Sequence, residues 1–266
     1  MPPTPQEIGD ILRDANSGLR DRIIRNLGSF TVAMLAVSGE DRLELAGTGS
    51  LMAIGGAHYI LTARHVWEER LRDAEHLGIT IRPNLVHRYG IPIRDVMAIG
   101  LPKPGIWNEW GPDLVLLRIP GEHVGTIQAF HCSFWNPSRL IENGDVLEVL
   151  VLMGTPIERG TIIDSHANLE ITGMYLGPEA AQLKGDFDYL DYEMDLGFPG
   201  VPRTFGGVSG GGVWRVWLFW SPENREIDWK MSFHGVAFWQ HDIVNEHRSI
   251  RCHGPKSVEA VMRELN

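Results

Sequence analysis

Residues 205–214 read "FGGVSGGGVW", with Ser209 set among five glycines. Such a run serves either as a loose hinge or as a loop whose backbone approaches a ligand closely. Taken alone, "GVSGG" satisfies the G-x-S-x-G pattern of a nucleophile elbow, which needs a strand before the serine, a helix after it and the histidine last in the chain. The flanks disfavour that reading. Residues 196–205, "LGFPGVPRTF", are rich in Gly and Pro, and residues 213–220, "VWRVWLFW", have strand character. His234, His241, His247 and His253 do lie downstream, so residue content alone leaves the elbow open.

The other serine arrangement takes its partners from upstream. In "YILTARHVWE" (59–68), His65 follows an apolar strand-like run and starts a short helical turn. In "GPDLVLLRIP" (111–120), Asp113 heads a second apolar run. Each polar side chain stands at the end of a rigid element, where its direction can be held. The chemistry requires this: serine is a poor nucleophile until an imidazole takes its proton, and a carboxylate must hold that imidazole in one tautomer. Glu109 is a second carboxylate in the same neighbourhood and stays an alternative to Asp113.

Outward from these segments the chain is mainly short β-type runs divided by Gly, Pro and Asn, among them "SFTVAMLAVS" (29–38), "LELAGTGSLMAI" (43–54), "DVLEVLVLMG" (145–154) and "FHGVAFW" (233–239). Many short strands without alternating long helices predict a sandwich or barrels rather than a parallel α/β sheet. Thr4 and Glu7 form a capping box around Pro5, and Ile8, Ile11, Leu12, Ala15 and Leu19 recur at helical spacing up to Gly28. Ser257 is placed to cap a closing helix that carries Val258, Val261, Met262 and Leu265 on one face. The stretch from about Pro120 to Asn143 reads as a polar connection.

Apolar residues make up 43% and charged residues 22% of the 266, as in an ordinary globular protein. A net charge of -10 disfavours nucleic acid and anionic membrane surfaces as partners. No run reaches the about 18 apolar residues of a membrane span, and the first residues lack a signal-peptide pattern. Cys132 and Cys252 are the only cysteines and are expected as free thiols, which suits a cytoplasmic setting. The tail gathers His241, Asp242, Glu246, His247, Cys252 and His253, but in no zinc-type spacing. No metal and no organic cofactor is expected. The aromatic stripe Trp214, Trp217, Phe219 and Trp220 reads as core.

"GTGSLMAIGGAHYILTARHV" (47–66), "PDLVLLRI" (112–119) and "GGVSGG" (206–211), in that order, resemble the signature segments of chymotrypsin-like (trypsin-like) serine peptidases. The separations, 48 residues from His65 to Asp113 and 96 from Asp113 to Ser209, suit one element from each of two barrels. The resemblance covers about residues 29–265. It implies an all-β fold of two six-stranded antiparallel barrels with short terminal helices: an N-terminal extension (1–28), a first barrel (29–130), a second (131–254) and a closing helix (255–266).

It further implies Ser209 as nucleophile, His65 as general base and acid, Asp113 as orienting carboxylate, and the N–H groups of Gly207 and Ser209 as oxyanion hole. The six-residue step back from the serine puts Arg203, followed by Thr204, at the base of a specificity pocket, where a guanidinium would favour acidic side chains; a residue pointing to solvent is the alternative. Phe238, Trp239 and Gln240 would form the other wall.

The chain departs from secreted members of the family. Val208 stands where activatable members carry an aspartate, Gly212 where related housekeeping proteases often have proline, and the usual disulfides are missing. The pattern is closest to intracellular bacterial trypsin-like peptidases. The expected activity is hydrolysis of protein or peptide substrates, with a regulatory protein partner at the N-terminal helix as one option and packing of that helix on its own barrel as the other. A trypsin-fold scaffold or sensor that binds without turnover is the rival reading.

Overall fold

A computed structural model describes residues 2–39, 42–80, 88–100, 110, 112–137, 147–163, 166–177, 179–197 and 201–265. The chain opens with helices α1 (Pro5–Arg13) and α2 (Leu19–Gly28). The periodicity predicts one continuous helix here. Asp14 interrupts it by accepting from the Asn16 N–H at 2.9 Å, and Gly18 then takes the left-handed conformation (φ 66°) that turns the chain into α2. The capping box forms as read: Thr4 Oγ1 accepts from Glu7 N–H, and Glu7 Oε2 from Thr4 N–H at 2.7 Å.

The first seven strands make one antiparallel sheet: β1 (Thr31–Ser38), β2 (Arg42–Ile54), β3 (Ala57–Thr62), β4 (His76–Thr80), β5 (Arg88–Pro92), β6 (Met97–Gly100) and β7 (Val115–Ile119). Their order is β5-β4-β1-β2-β3-β7-β6. A one-turn helix, α3 (Arg64–Val66), follows β3, and α4 (Gly121–Ala129) follows β7. The expected polar connection from Pro120 is therefore partly helical, because Val124 and Ile127 bury themselves in the core of the first sheet.

Strand β8 (Leu147–Gly154) opens the second half, and β9 (Thr161–Ile163) and β10 (His166–Asn168) pair as a separate ribbon. Strands β11 (Thr172–Tyr175), β12 (Glu179–Lys184), β13 (Phe187–Asp195), β14 (Gly212–Ser221), β15 (Glu226–Gln240) and β16 (His247–His253) join β8 in a second antiparallel sheet. The order is β11-β8-β14-β15-β16-β13-β12. The fold is mostly β and antiparallel, with one sheet strongly curled into a half-barrel. Among the described residues each large sheet has seven strands, where closed barrels of six were expected. Every residue of β12 is exposed, and its sequence EAAQLK carries no apolar–polar alternation that would announce a strand.

The largest core lies between the sheets. Met52, Tyr59 and Leu61 of the first meet Val151, Trp214, Val216 and Leu218 of the second. Trp214 is fully buried against Phe30, Trp135 and Phe233, with ring centroids 5.1–5.5 Å apart. The helical pair packs on the second sheet: Gly9 lies against Leu147 and Ile24 over Gly173, while Ile8, Leu12, Leu19, Ile23 and Leu27 are buried. The last helix, α5 (Pro255–Arg263), is not capped by Ser257. Gly254 is its N-cap, and the Asp188 carboxylate of β13 accepts from the N–H groups of Lys256 (3.1 Å) and Ser257 (2.8 Å). Among the described residues no helix is long and apolar enough to cross a membrane.

Candidate functional site

Antiparallel pairing of Thr62 with Val115 brings the end of β3 beside the start of β7. His65, three residues past the first, therefore meets Asp113, two before the second. Ala63 has no side chain able to cap α3, and the Asp113 carboxylate takes that part. Its Oδ1 accepts from the His65 N–H at 2.8 Å while Oδ2 lies 2.5 Å from His65 Nδ1. Both contacts come from a carboxylate that is only 4% exposed. Burial works against a charged His65 ring, but the Asp113 hydrogen bond and charge, with the charge of Glu69, outweigh it and raise the ring above its ordinary value. With Nδ1 on Asp113, Nε2 is the nitrogen left to exchange a proton with a ligand. Glu109 lies outside the described residues.

Ser209 comes from the second half, in the turn before β14. Thr48 of β2 holds this loop. Its N–H donates to Ser209 O (2.9 Å), and its hydroxyl donates to Gly207 O (2.7 Å) while accepting from Thr155 N–H (3.0 Å). A methyl group on Gly47, the residue before, would lie 2.8 Å from both Ser209 O and Val66 Cγ2, so the serine backbone and the turn carrying His65 flank the same point. Gly210 has φ 87°, and a side chain there would strike Thr48 O and Thr62 Oγ1 at 2.0 Å. Here the glycines serve tight turning and close approach. Thr48 belongs to the "GTGS" run already singled out, yet nothing local in that run signals its contacts with residues far along the chain.

Two peptide planes in the loop are fixed from one side. Ile157 N–H donates to Gly206 O and Gly211 N–H to Val208 O, both at 2.8 Å. In a trans peptide the N–H points opposite its carbonyl, so these bonds set the directions of the Gly207 and Ser209 N–H groups. Neither N–H has a hydrogen-bond acceptor among the described residues. Ser209 Oγ likewise makes no hydrogen bond to His65 among them; such contacts are often long without substrate.

A pocket of about 290 Å³ opens beside Ser209, which lines it with Phe205, Val208, Phe238, Trp239, Gln240 and Ile250. Phe238, Trp239 and Gln240 of "AFWQ" all line this pocket. Arg203 and Thr204 are elsewhere. Their N–H groups donate to the Glu158 carboxylate at 2.8 and 3.1 Å, both residues are exposed, and neither lines the pocket. Glu158 draws that segment outward, and the Phe205 N–H turns instead to Gln240 Oε1 at 3.1 Å.

His253 is a site residue that its sequence setting hid. Its Nε2 accepts from the Asp113 N–H at 3.0 Å, and its ring stacks on Phe238 with centroids 4.2 Å apart. It is fully buried, which pushes it down to about 4 and keeps it neutral. The polar residues of the tail lie apart: His247 meets Glu193 at 3.2 Å and Cys252 is buried in the second sheet's core. Among the described residues no three His, Cys, Asp or Glu side chains gather as a metal site.

No protein-family model matches the chain, and no curated protein matches it. Among solved structures, one similar chain comes from work described as "Aromatic interactions drive the coupled folding and binding of the intrinsically disordered Sesbania mosaic virus VPg protein". It is 13% identical, the match covers 90% of this chain and 97% of that one, and the TM-score is 0.43.

Proposed function

We propose that the chain is a serine endopeptidase of the chymotrypsin-like, two-barrel type, hydrolysing peptide bonds through an acyl-enzyme. The observation that carries this reading is the double contact of Asp113 with His65, beside a loop in which Ser209 lines a pocket and the Gly207 and Ser209 N–H groups have no acceptor among the described residues. His65 Nε2 takes the Ser209 hydroxyl proton as Oγ adds to the substrate carbonyl. The Gly207 and Ser209 N–H groups receive the resulting oxyanion. Imidazolium then returns the proton to the departing amine, and water repeats the sequence on the ester.

A fluorophosphonate probe tests the proposal. It should label the wild type at Ser209, fail on Ser209→Ala and react far more slowly with His65→Ala. A scaffold or sensor that binds without turnover is the rival reading, and an unlabelled, folded wild type would favour it. A regulatory protein reaching the N-terminal helices would meet their polar faces and Ile11, which is 38% exposed, since the rest of their apolar face is covered by the second sheet.

A further inference from the structure

The apolar core of the second sheet ends in a cation. Strand β13 pairs Leu190 with Cys252, Tyr192 with Ile250 and Met194 with Arg248, so these side chains share one face of the sheet. All but Arg248 belong to the cluster that also contains Phe205, Val208 and Ala237 beneath Ser209. Ile250 lines the pocket, and Arg248, two residues before it on β16, continues that face past it. Arg248 Nη1 donates to Gln240 Oε1 at 2.8 Å, and its Nε is buried without a hydrogen bond. Among the described residues no carboxylate pairs with Arg248. Glu158, which holds the neighbouring loop, has both oxygens engaged by Arg203 and Thr204.

This arrangement polarises Gln240. Its Oε1 accepts from both the Arg248 guanidinium and the Phe205 N–H, which commits the carbonyl end of the amide to the protein. The NH₂ end is left as the donor of a residue that lines the pocket, and a hydrogen bond from a cation makes it a stronger donor. An otherwise apolar recess with one polarised amide, backed by an unneutralised guanidinium, suits a ligand with an aliphatic stem and an anionic tip.

We infer that the Gln240–Arg248 pair makes the pocket beside Ser209 select an acidic side chain, that of the residue preceding the scissile bond. The inference rests on the peptidase reading. Arg248 is a specificity-determining residue here and takes no part in the bond-making steps. A lysine side chain would bring its ammonium toward the guanidinium and is repelled, while glutamine matches glutamate in shape but lacks the charge.

Matched fluorogenic peptides differing only in Glu, Gln, Leu or Lys before the cleaved bond test this, with labelling of the wild type by a neutral fluorophosphonate run alongside. The wild type should cleave Glu over Gln by about tenfold or more in kcat/KM and Lys least of all. Arg248→Gln should abolish the Glu-over-Gln ratio, and Arg248→Glu should move the preference to Lys, a gain that a misfolded variant cannot produce. Equal cleavage of Glu and Gln by a labelled wild type overturns the inference and leaves the peptidase reading intact. If the wild type is neither labelled nor active, the peptidase reading fails. Binding then decides the pocket's selectivity: by titration calorimetry the Glu peptide must bind the wild type more tightly than the Gln peptide does, and Arg248→Gln must lose that difference; equal binding to the wild type overturns it.

Discussion

The backbone N–H of Asp113 donates to Nε2 of His253 at 3.0 Å, so the carboxylate beside His65 is tied to the last strand of the other sheet. That bond requires a neutral acceptor, and the fully buried ring stays neutral down to about 4. In the unfolded chain the same ring titrates near 6.5, so between about 6.5 and 4 the unfolded state binds more protons than the folded one. The stabilisation is whole above about 6.5 and falls with pH toward 4, by about 3 kcal/mol in total. Denaturant melts at pH 7.5, 5.5 and 4.5 should trace that decline. His253→Phe should flatten it, and it should cost about 1–3 kcal/mol at neutral pH by leaving the Asp113 N–H buried without an acceptor. An unchanged slope in the variant would assign the pH dependence to other groups.

His65 shifts the opposite way, and its pH limb lies elsewhere. Its raised folded value adds stability that is present below about 6.5 and is lost as pH rises through that value. Under the proposed mechanism it must be neutral to act, so kcat/KM should rise with pH along a limb centred above 6.5. Asp113→Asn should lower turnover by about 10⁴-fold and move that limb down. Ser209→Ala and His65→Ala should each cost several orders of magnitude, and the double variant little more than either. A flat profile from pH 5 to 8, or additive losses, would remove His65 from the reaction.

Thr48→Val keeps the side-chain shape and deletes the bonds to Gly207 O and from Thr155 N–H. Leaving these groups unpartnered should cost about 1–3 kcal/mol each. If the loop held by Thr48 also presents the two donors at Gly207 and Ser209, kcat should fall further than KM changes. Thr48→Ser restores the hydroxyl and should recover most of both. Failure of serine to rescue would show that the methyl packing, not the hydrogen bonds, holds the loop.

Burial pushes the Cys132 thiol up to about 11 and raises that of Cys252 well above its ordinary value. The native protein should therefore react slowly with Ellman's reagent near neutrality, and two thiols should appear on denaturation. Dithiothreitol should leave the melting temperature unchanged, since Cys132 and Cys252 are not joined in a disulfide. A fall of several degrees would mean that a disulfide forms in solution.

The sequence by itself determined what short-range geometry encodes. The alternating runs became strands, Thr4 and Glu7 closed their capping box, and Phe238, Trp239 and Gln240, consecutive in the sequence, all line the pocket beside Ser209. It also nominated His65, Asp113 and Ser209, each from the rigid run beside it. Only the tertiary structure decided the partners. Thr48 bonds Gly207 across 159 positions and Asp113 bonds His253 across 140, contacts set by sheet pairing and loop closure rather than by any local pattern. The cation near the pocket moved for the same reason. Counting back from Ser209 reaches Arg203, but Glu158 captures that segment's backbone, while the pairing of β16 with β13 carries Arg248 to Gln240. Ser257, read as a cap, proved to sit inside its helix, because the carboxylate that caps the helix belongs to Asp188, on a strand in another part of the chain.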